Sequence, residues 1–245
     1  MVMPARNPLA VSRDLLAGFA GQEVLVGFSG GKDSLAVLEL AVEAGVKPLP
    51  FCMHLVAGLR CVEENLRPAE RRYGVKVLRL PHWDLPRLML EAVYRPHMIA
   101  SEAAKLRKLT ILDVESLLRL RTGARWVFYG QRMTDSLERR GMLSKCAGRD
   151  ENTGRAYPIY TWADRHVKAF LRARRIRMPG LAVARSSGVG LDLETLVFMR
   201  EHYPDDLTKL LEVFPYAQAA LVRYDSRRAA EAVEAPGVHD GDDPA

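Results

Sequence analysis

Six consecutive residues, Ser29-Gly30-Gly31-Lys32-Asp33-Ser34, bring two glycines, two hydroxyls, an ammonium and a carboxylate together. Adjacent glycines let backbone N–H groups approach an anion, and a helix starting beside them adds the positive end of its dipole. The segment reads as a cradle for phosphate or sulfate. It is not a Walker A loop, because three residues rather than four separate Gly27 from Gly31 and Lys32 is followed by Asp33. Nor does it match G-x-G-x-x-G.

Other chemistry-bearing residues are weaker signals. Arg172, Arg174, Arg175 and Arg177 form a cationic run that could contact nucleic acid or an acidic partner, although such runs more often form a solvated face at a helix end. Six histidines show no ligand spacing. Cys52, Cys61 and Cys146 contain no C-x-x-C pair, so neither a metal site nor an iron–sulfur cluster is expected. Asp113 and Glu115 read as helix surface.

The elements that position these groups follow from hydrophobic pattern. Residues 23–28 form a β-branched and aromatic run suited to a buried parallel strand, with the glycine turn directly after it. A helix follows with Leu35, Leu38 and Val42 on one face and a stop at Gly45. Further strands are expected at 48–56, 75–80, 126–129 and 156–160, with helices at 63–73 and 105–120 between them. Thr161 and Asp164 have the spacing of a capping box for a helix carrying Val167, Phe170 and Leu171, which Pro179-Gly180 would end. After the Gly/Ser-rich residues 186–190, helices are expected at 191–202 and 205–214.

This alternation predicts an α/β fold with a doubly wound, mainly parallel five-stranded sheet and a small helical C-terminal extension. We expect a nucleotide-binding domain over 1–180, the helical extension over 181–230 and a disordered acidic tail over 231–245.

Composition sets the bounds. With 48% hydrophobic and 27% charged residues among 245, the chain is globular rather than fibrous or disordered. No apolar run approaches the roughly 18 residues of a membrane span, and Arg6, Arg13 and Asp14 interrupt any signal-like start, so a cytoplasmic location without membrane contact is expected. The net charge is +6, and residues 231–245 hold five acids and no base, which leaves the remainder at +11. Such a body favours an anionic ligand.

The hexapeptide resembles the PP-loop, Ser-Gly-Gly-x-Asp-Ser/Thr, of the adenine nucleotide α-hydrolase superfamily, and with Lys32 in the variable position it is similar to the phosphoadenosine phosphosulfate (PAPS) reductase family. Other segments match over most of residues 22–215. His54-Leu55-Val56-Ala57-Gly58, with Glu63 beyond, falls where members often have His-Val-Asp-Thr-Gly, although Val56 and Ala57 replace the acid and the hydroxyl. Gly130-Gln131-Arg132-Met133-Thr134-Asp135-Ser136 with Arg139 is similar to Gly-x-Arg-x-x-Glu-Ser-x-x-Arg. Tyr157-Pro158-Ile159 with Trp162, Asp164 and Val167 resembles a further segment in which Asp164 is displaced by two, which implies packing and capping for it.

The resemblance implies a Rossmann-like, PP-loop type fold. It implies nucleotide binding by Ser29, Gly30, Gly31, Lys32, Asp33, Ser34, His54, Gly130, Arg132, Ser136 and Arg139, with Lys32, Asp33 and Arg132 closest to the chemistry. Arg132 and Arg139 would face the anionic end of the nucleotide, where a planar donor fork binds phosphate or sulfate bidentately.

Two reactions divide the family. In one, ATP binds with Mg²⁺ and an acceptor oxygen attacks the α-phosphorus, releasing pyrophosphate. In the other, a C-terminal cysteine attacks the sulfate sulfur of PAPS. No cysteine follows Cys146. The leading expectation is therefore an ATP pyrophosphatase or adenylyltransferase acting in sulfur transfer or nucleotide and nucleic-acid modification. PAPS reduction through Cys146 or a partner's thiol comes second, and a nucleotide-binding subunit with a basic nucleic-acid face third. A sulfur carrier or thiol reductant would be the protein partner.

Overall fold

The computed structural model describes residues 7–177 and 190–234. The strands are β1 (Glu23–Gly27), β2 (Lys47–His54), β3 (Leu78–Pro81), β4 (Val127–Phe128), β5 (Arg149–Asp150) and β6 (Arg155–Ala156). The helices up to β4 are α1 (Pro8–Ala17), α2 (Lys32–Glu43), α3 (Arg60–Tyr73), α4 (Leu85–Leu90), α5 (Ala100–Ala103) and α6 (Ile111–Thr122). Beyond it come α7 (Leu137–Cys146), α8 (Asp164–Ala173), α9 (Leu193–His202), α10 (Pro204–Val213) and α11 (Gln218–Glu234).

All the strands join one sheet in the order β3-β2-β1-β4-β6-β5, parallel throughout except where β5 meets β6. In β1, Val24, Leu25 and Val26 have no exposed surface, as expected of a central parallel strand covered on both faces. Because successive side chains point to opposite faces, Val24, Val26 and Phe28 pack in the cluster that contains α2 and α8, while Leu25 joins Val114 and Leu118 of α6 on the other side.

The sheet has one strand more than the five expected. The extra strand is β5, which pairs with β6 in a hairpin of two-residue strands too short to show periodicity, with Gly154 at φ +64° in its turn. Helices α1, α4, α5, α7 and α11 were also not anticipated. Helix α8 starts later than the Thr161 cap predicts: Ala163 is its N-cap, and its amide donates to Nδ1 of His166 at 3.0 Å. Asp164 is thereby released from capping and placed in the first turn.

Helices α9, α10 and α11 supply Leu196, Met199, Leu210, Phe214 and Leu221 to the same hydrophobic cluster as β1 and α2. Asp206 of α10, 2% exposed, accepts the backbone N–H of Cys61 at 2.8 Å. It caps the start of α3, whose own N-cap residue, Leu59, has no side-chain acceptor. The boundary expected at 180, the Pro179-Gly180 stop and most of the Gly/Ser-rich stretch lie outside the described residues, as do residues 235–245. Among the described residues no helix is long and apolar enough to cross a membrane.

Candidate active site at the carboxyl end of the sheet

From β1 the chain winds outward through β2 to β3, and on the other side β4 leads to β6. Neighbouring strands β1 and β4 thus mark the point where winding reverses, the usual place for a ligand in an open α/β sheet. The glycine turn leaves β1 here, and the Gly130 loop leaves β4. The two loops touch: a Cβ on Gly130 would stand 3.1–3.3 Å from the backbone and Cβ of Asp33. Gly30 has φ +75°, and a Cβ there would lie 2.9 Å from that of Asn65, so both conformation and space demand glycine.

Within the turn, Ser34 Oγ donates to the Gly31 carbonyl at 2.9 Å and the Gly31 amide donates to Ser29 Oγ at 3.3 Å. Gly31 is the N-cap of α2 and has no side chain to bond the first amides, which leaves them for an anion.

Beside the turn stands an ion-pair cluster built from three distant segments. Lys32 Nζ lies 2.8 Å from Asp33 and 3.0 Å from Asp164. Arg132, 8% exposed, pairs with Asp135 at 3.0 Å and stands 3.6 Å from Asp33 and 3.8 Å from Asp164. Arg139 reaches Asp135 at 3.1 Å. Hydrogen bonding from Lys168, and then the contact with Lys32, hold the Asp164 carboxyl at about 2. Asp33 Oδ1 and Arg132 Nη1 are buried without hydrogen-bond partners.

Between the loops lies a cleft of about 740 Å³. Of the residues expected at the nucleotide, Ser29, Asp33, Ser34, Gly130 and Arg139 line it. Gly30 instead borders a second cleft on the other side of the turn. Lys32 and Arg132 are in the ion-pair cluster, and Ser136 caps α7 by accepting the Arg139 amide at 3.1 Å. His54, at the end of β2, accepts the His82 amide through its carbonyl at 2.9 Å, and burial pushes its imidazole below the ordinary value. Glu63 is held by Arg79 at 2.8 Å.

The cleft walls were missed in the sequence. Phe51, Trp83, Tyr129 and Tyr157 supply aromatic surface, and Tyr129 and Tyr157 are stacked 6.5 Å apart. Trp83 and Tyr129 fall just beyond the ends of β3 and β4, and aromatics at strand ends were the available signal. Glu115, read as helix surface, has no exposed area. It accepts the Tyr129 hydroxyl at 2.7 Å and Arg155 Nε at 2.9 Å, fixing two residues of the wall from behind. Burial, then the Glu115 charge, drives the Tyr129 hydroxyl far above its usual range.

None of the three cysteines lines this cleft. Burial first pushes Cys52 and Cys61 up to about 12. Cys146 is half-buried at the end of α7, in a neighbouring groove that shares Glu138, Met142 and Tyr157 with the cleft. Because the thiolate is the reactive form, Ellman's reagent at pH 8 should modify one thiol in the native protein and three after denaturation. Retention of the fast-reacting thiol in Cys146→Ser would refute the assignment.

No curated protein matches the sequence. Among solved structures, a U34-tRNA thiolase from Methanococcus maripaludis with its 4Fe–4S cluster is similar at 13% identity and TM-score 0.49, over 87% of this chain and 77% of its own. Yeast FAD synthetase in complex with FAD is similar at 12% identity and TM-score 0.48, over 74% of this chain and 65% of its own, just under two thirds. The phosphate complex of PAPS reductase from Candida auris is similar at 14% identity and TM-score 0.43, over 71% and 82%.

The thiolase corrects one expectation. Lack of a C-x-x-C pair predicts no iron–sulfur cluster, yet that thiolase carries one. Spacing along the sequence tests only neighbouring ligands, and a fold can gather distant ones. Among the described residues here, no group of three or more His, Cys, Asp or Glu is placed to hold a metal ion.

The phosphoadenosine phosphosulfate reductase domain matches residues 23–191, from the first residue of β1 to just before α9 and over more than half of the sequence; the chain belongs to that family.

Proposed function

We propose that the chain binds ATP across the glycine turn and breaks the bond between its α- and β-phosphates, passing AMP to an acceptor oxygen as pyrophosphate leaves. The acceptor belongs to sulfur transfer or to nucleotide or nucleic-acid modification. The observation that carries this reading over sulfate reduction is the absence of every thiol from the cleft lining. A reductase must bring a sulfur nucleophile to the sulfate.

Each residue then has a task. The first amides of α2 and the Ser29 hydroxyl donate to phosphate oxygens, while the Ser34 hydroxyl braces the turn through the Gly31 carbonyl. Lys32 offsets charge building on the departing pyrophosphate, a role in which preorganised cations act strongly. Asp33 and Asp164 hold the Lys32 ammonium between them at 2.8 and 3.0 Å, so it is positioned before the ligand arrives. The aromatic wall around Tyr129 offers the adenine a stacking surface.

A second reading, PAPS reduction, rests on the Cys146 groove that runs into the cleft through Glu138, Met142 and Tyr157. Purified protein incubated with ATP and magnesium, or with PAPS and a thioredoxin-type reductant, separates the two. Pyrophosphate and AMP without sulfite, unchanged in Cys146→Ser, is the expected result. Sulfite that disappears in Cys146→Ser would make the chain a reductase.

Arg139 gives the cleanest test of ligand orientation, because its side chain is 46% exposed and lines the cleft. In Arg139→Ala the affinity for ATP should fall by about 1.5–3 kcal/mol, the usual value of a hydrogen bond to a charged group. Adenosine affinity should not change. Calorimetric titration showing equal losses for both would place Arg139 away from the phosphates.

A further inference from the structure

The turn that faces the nucleotide cleft also borders a second cleft of about 740 Å³, through Gly30. Its wall comes from α3 and from the segment after α8, and it contains Arg71, Arg72, Arg175 and Arg177. Arg72 is accounted for by a carboxylate, bound to Glu39 at 3.2 Å. Arg174, in the same run, pairs with Glu43 and lies over the Phe170 ring. The guanidinium groups of Arg71, Arg175 and Arg177 have no ion pair or hydrogen bond among the described residues. The one acid on this wall, Glu64, is occupied by the Tyr203 hydroxyl at 2.8 Å and by Arg60 at 3.4 Å.

Arg175 adds an independent observation. It occupies the position after α8 where the backbone turns left-handed, with φ +55°, which glycine adopts without strain and an arginine does not. The chain thus keeps a charged side chain at a strained site, and among the described residues that side chain has no partner.

We propose that this second cleft binds the phosphodiester backbone of a single-stranded nucleic acid and delivers it to the glycine turn. The inference rests on the ATP reading above and names the acceptor it leaves open: an oxygen of the bound strand would receive AMP as the α,β-phosphate bond of ATP breaks, with pyrophosphate leaving and the acceptor's proton passing to solvent. Three unpaired guanidiniums from two separate segments, spread along an open cleft, suit a chain of phosphates. One small anion would be held by converging, desolvated donors. The surplus of eleven positive charges outside residues 231–245 favours the same partner.

The test is fluorescence anisotropy of the full chain with labelled single-stranded DNA and RNA 20-mers over a salt series. The wild type should bind, with log K falling linearly against log salt. In Arg71→Ala/Arg175→Gly/Arg177→Ala the slope should become shallower by roughly 2, from about 0.7 for each lost phosphate contact on a single strand. Arg175→Gly alone should weaken oligonucleotide binding without lowering the melting temperature, because it relieves the left-handed strain; a merely structural arginine would not separate those readouts. ATP affinity, measured by calorimetry, should be unchanged in the triple variant. Wild-type oligonucleotide binding and slope in that variant would overturn the proposal, as would displacement of the strand by poly-glutamate or pyrophosphate at equal charge concentration. Loss of ATP binding in the wild type would instead strike the underlying reading, and the two failures are therefore distinguishable.

Discussion

Glu115→Ala should destabilise the protein by about 3–5 kcal/mol, the cost of leaving a buried charge without its partner. The carboxylate has no exposed surface and meets Arg155 at 2.8 Å, Arg119 at 3.4 Å and the Tyr129 hydroxyl at 2.7 Å. Alanine would strand Arg155 and its neighbours beneath the cleft wall. Chemical denaturation compared with the wild type measures the loss. Glu115→Gln keeps an acceptor for Tyr129 and should lose less, while Glu115→Leu/Arg155→Met removes both charges and should recover much of the stability. A Glu115→Ala protein as stable as the wild type would show that the ion pair contributes nothing net.

The other large effect is expected at Arg132. The guanidinium faces Asp33, Asp135 and Asp164, and Arg132→Ala would leave three carboxylates around a vacated site beside an anionic ligand. ATP affinity should fall about 100-fold or more, and stability by about 3 kcal/mol, since a partly buried network loses its cation. Arg132→Lys restores charge without the planar fork and should recover only part of each. Where Arg139→Ala affects the ligand alone, Arg132→Ala should move both calorimetry and the denaturation midpoint. Wild-type values in both would remove Arg132 from the centre of the site.

That contrast shows what could be read from residues alone. The glycine turn was legible because strand, glycines and helix are contiguous, so local geometry determines where the amides point. That β1 to β4 run parallel was legible for a similar reason, since buried strands alternate with helices of adequate length; their order was not. Arg132 was expected to face the nucleotide, but the carboxylates around it could not be read from its own segment. Its actual partners include Asp33, 99 residues earlier, and only the packed sheet puts them together.

Asp164 was missed for a related reason. Read as a capping residue, it faces Lys32 from across the fold, because α8 begins at Asp164 and leaves Thr161 outside. Glu115 looked like surface because α6 has only a weak apolar stripe, and acids are rarely buried unless paired. Its partners Tyr129 and Arg155 lie on or beside strands too short to announce themselves. That α9 to α11 add apolar side chains to the main core could not be read from composition, which does not show which elements pack together.

The cap on α3 ties synthesis to completion. The Asp206 carboxylate that accepts the Cys61 amide lies 145 residues further along, so a ribosome must translate most of the chain before that helix terminus can be satisfied. Until α10 docks, the wall of the arginine-lined cleft begins at a frayed helix, and closing so long a loop is a slow contact to form. Nascent chains ending before α10 should therefore expose the start of α3 to proteases. In the finished protein, the Cys61 amide and the α10 amides should lose protection from hydrogen exchange together, as one cooperative unit formed from segments 145 residues apart.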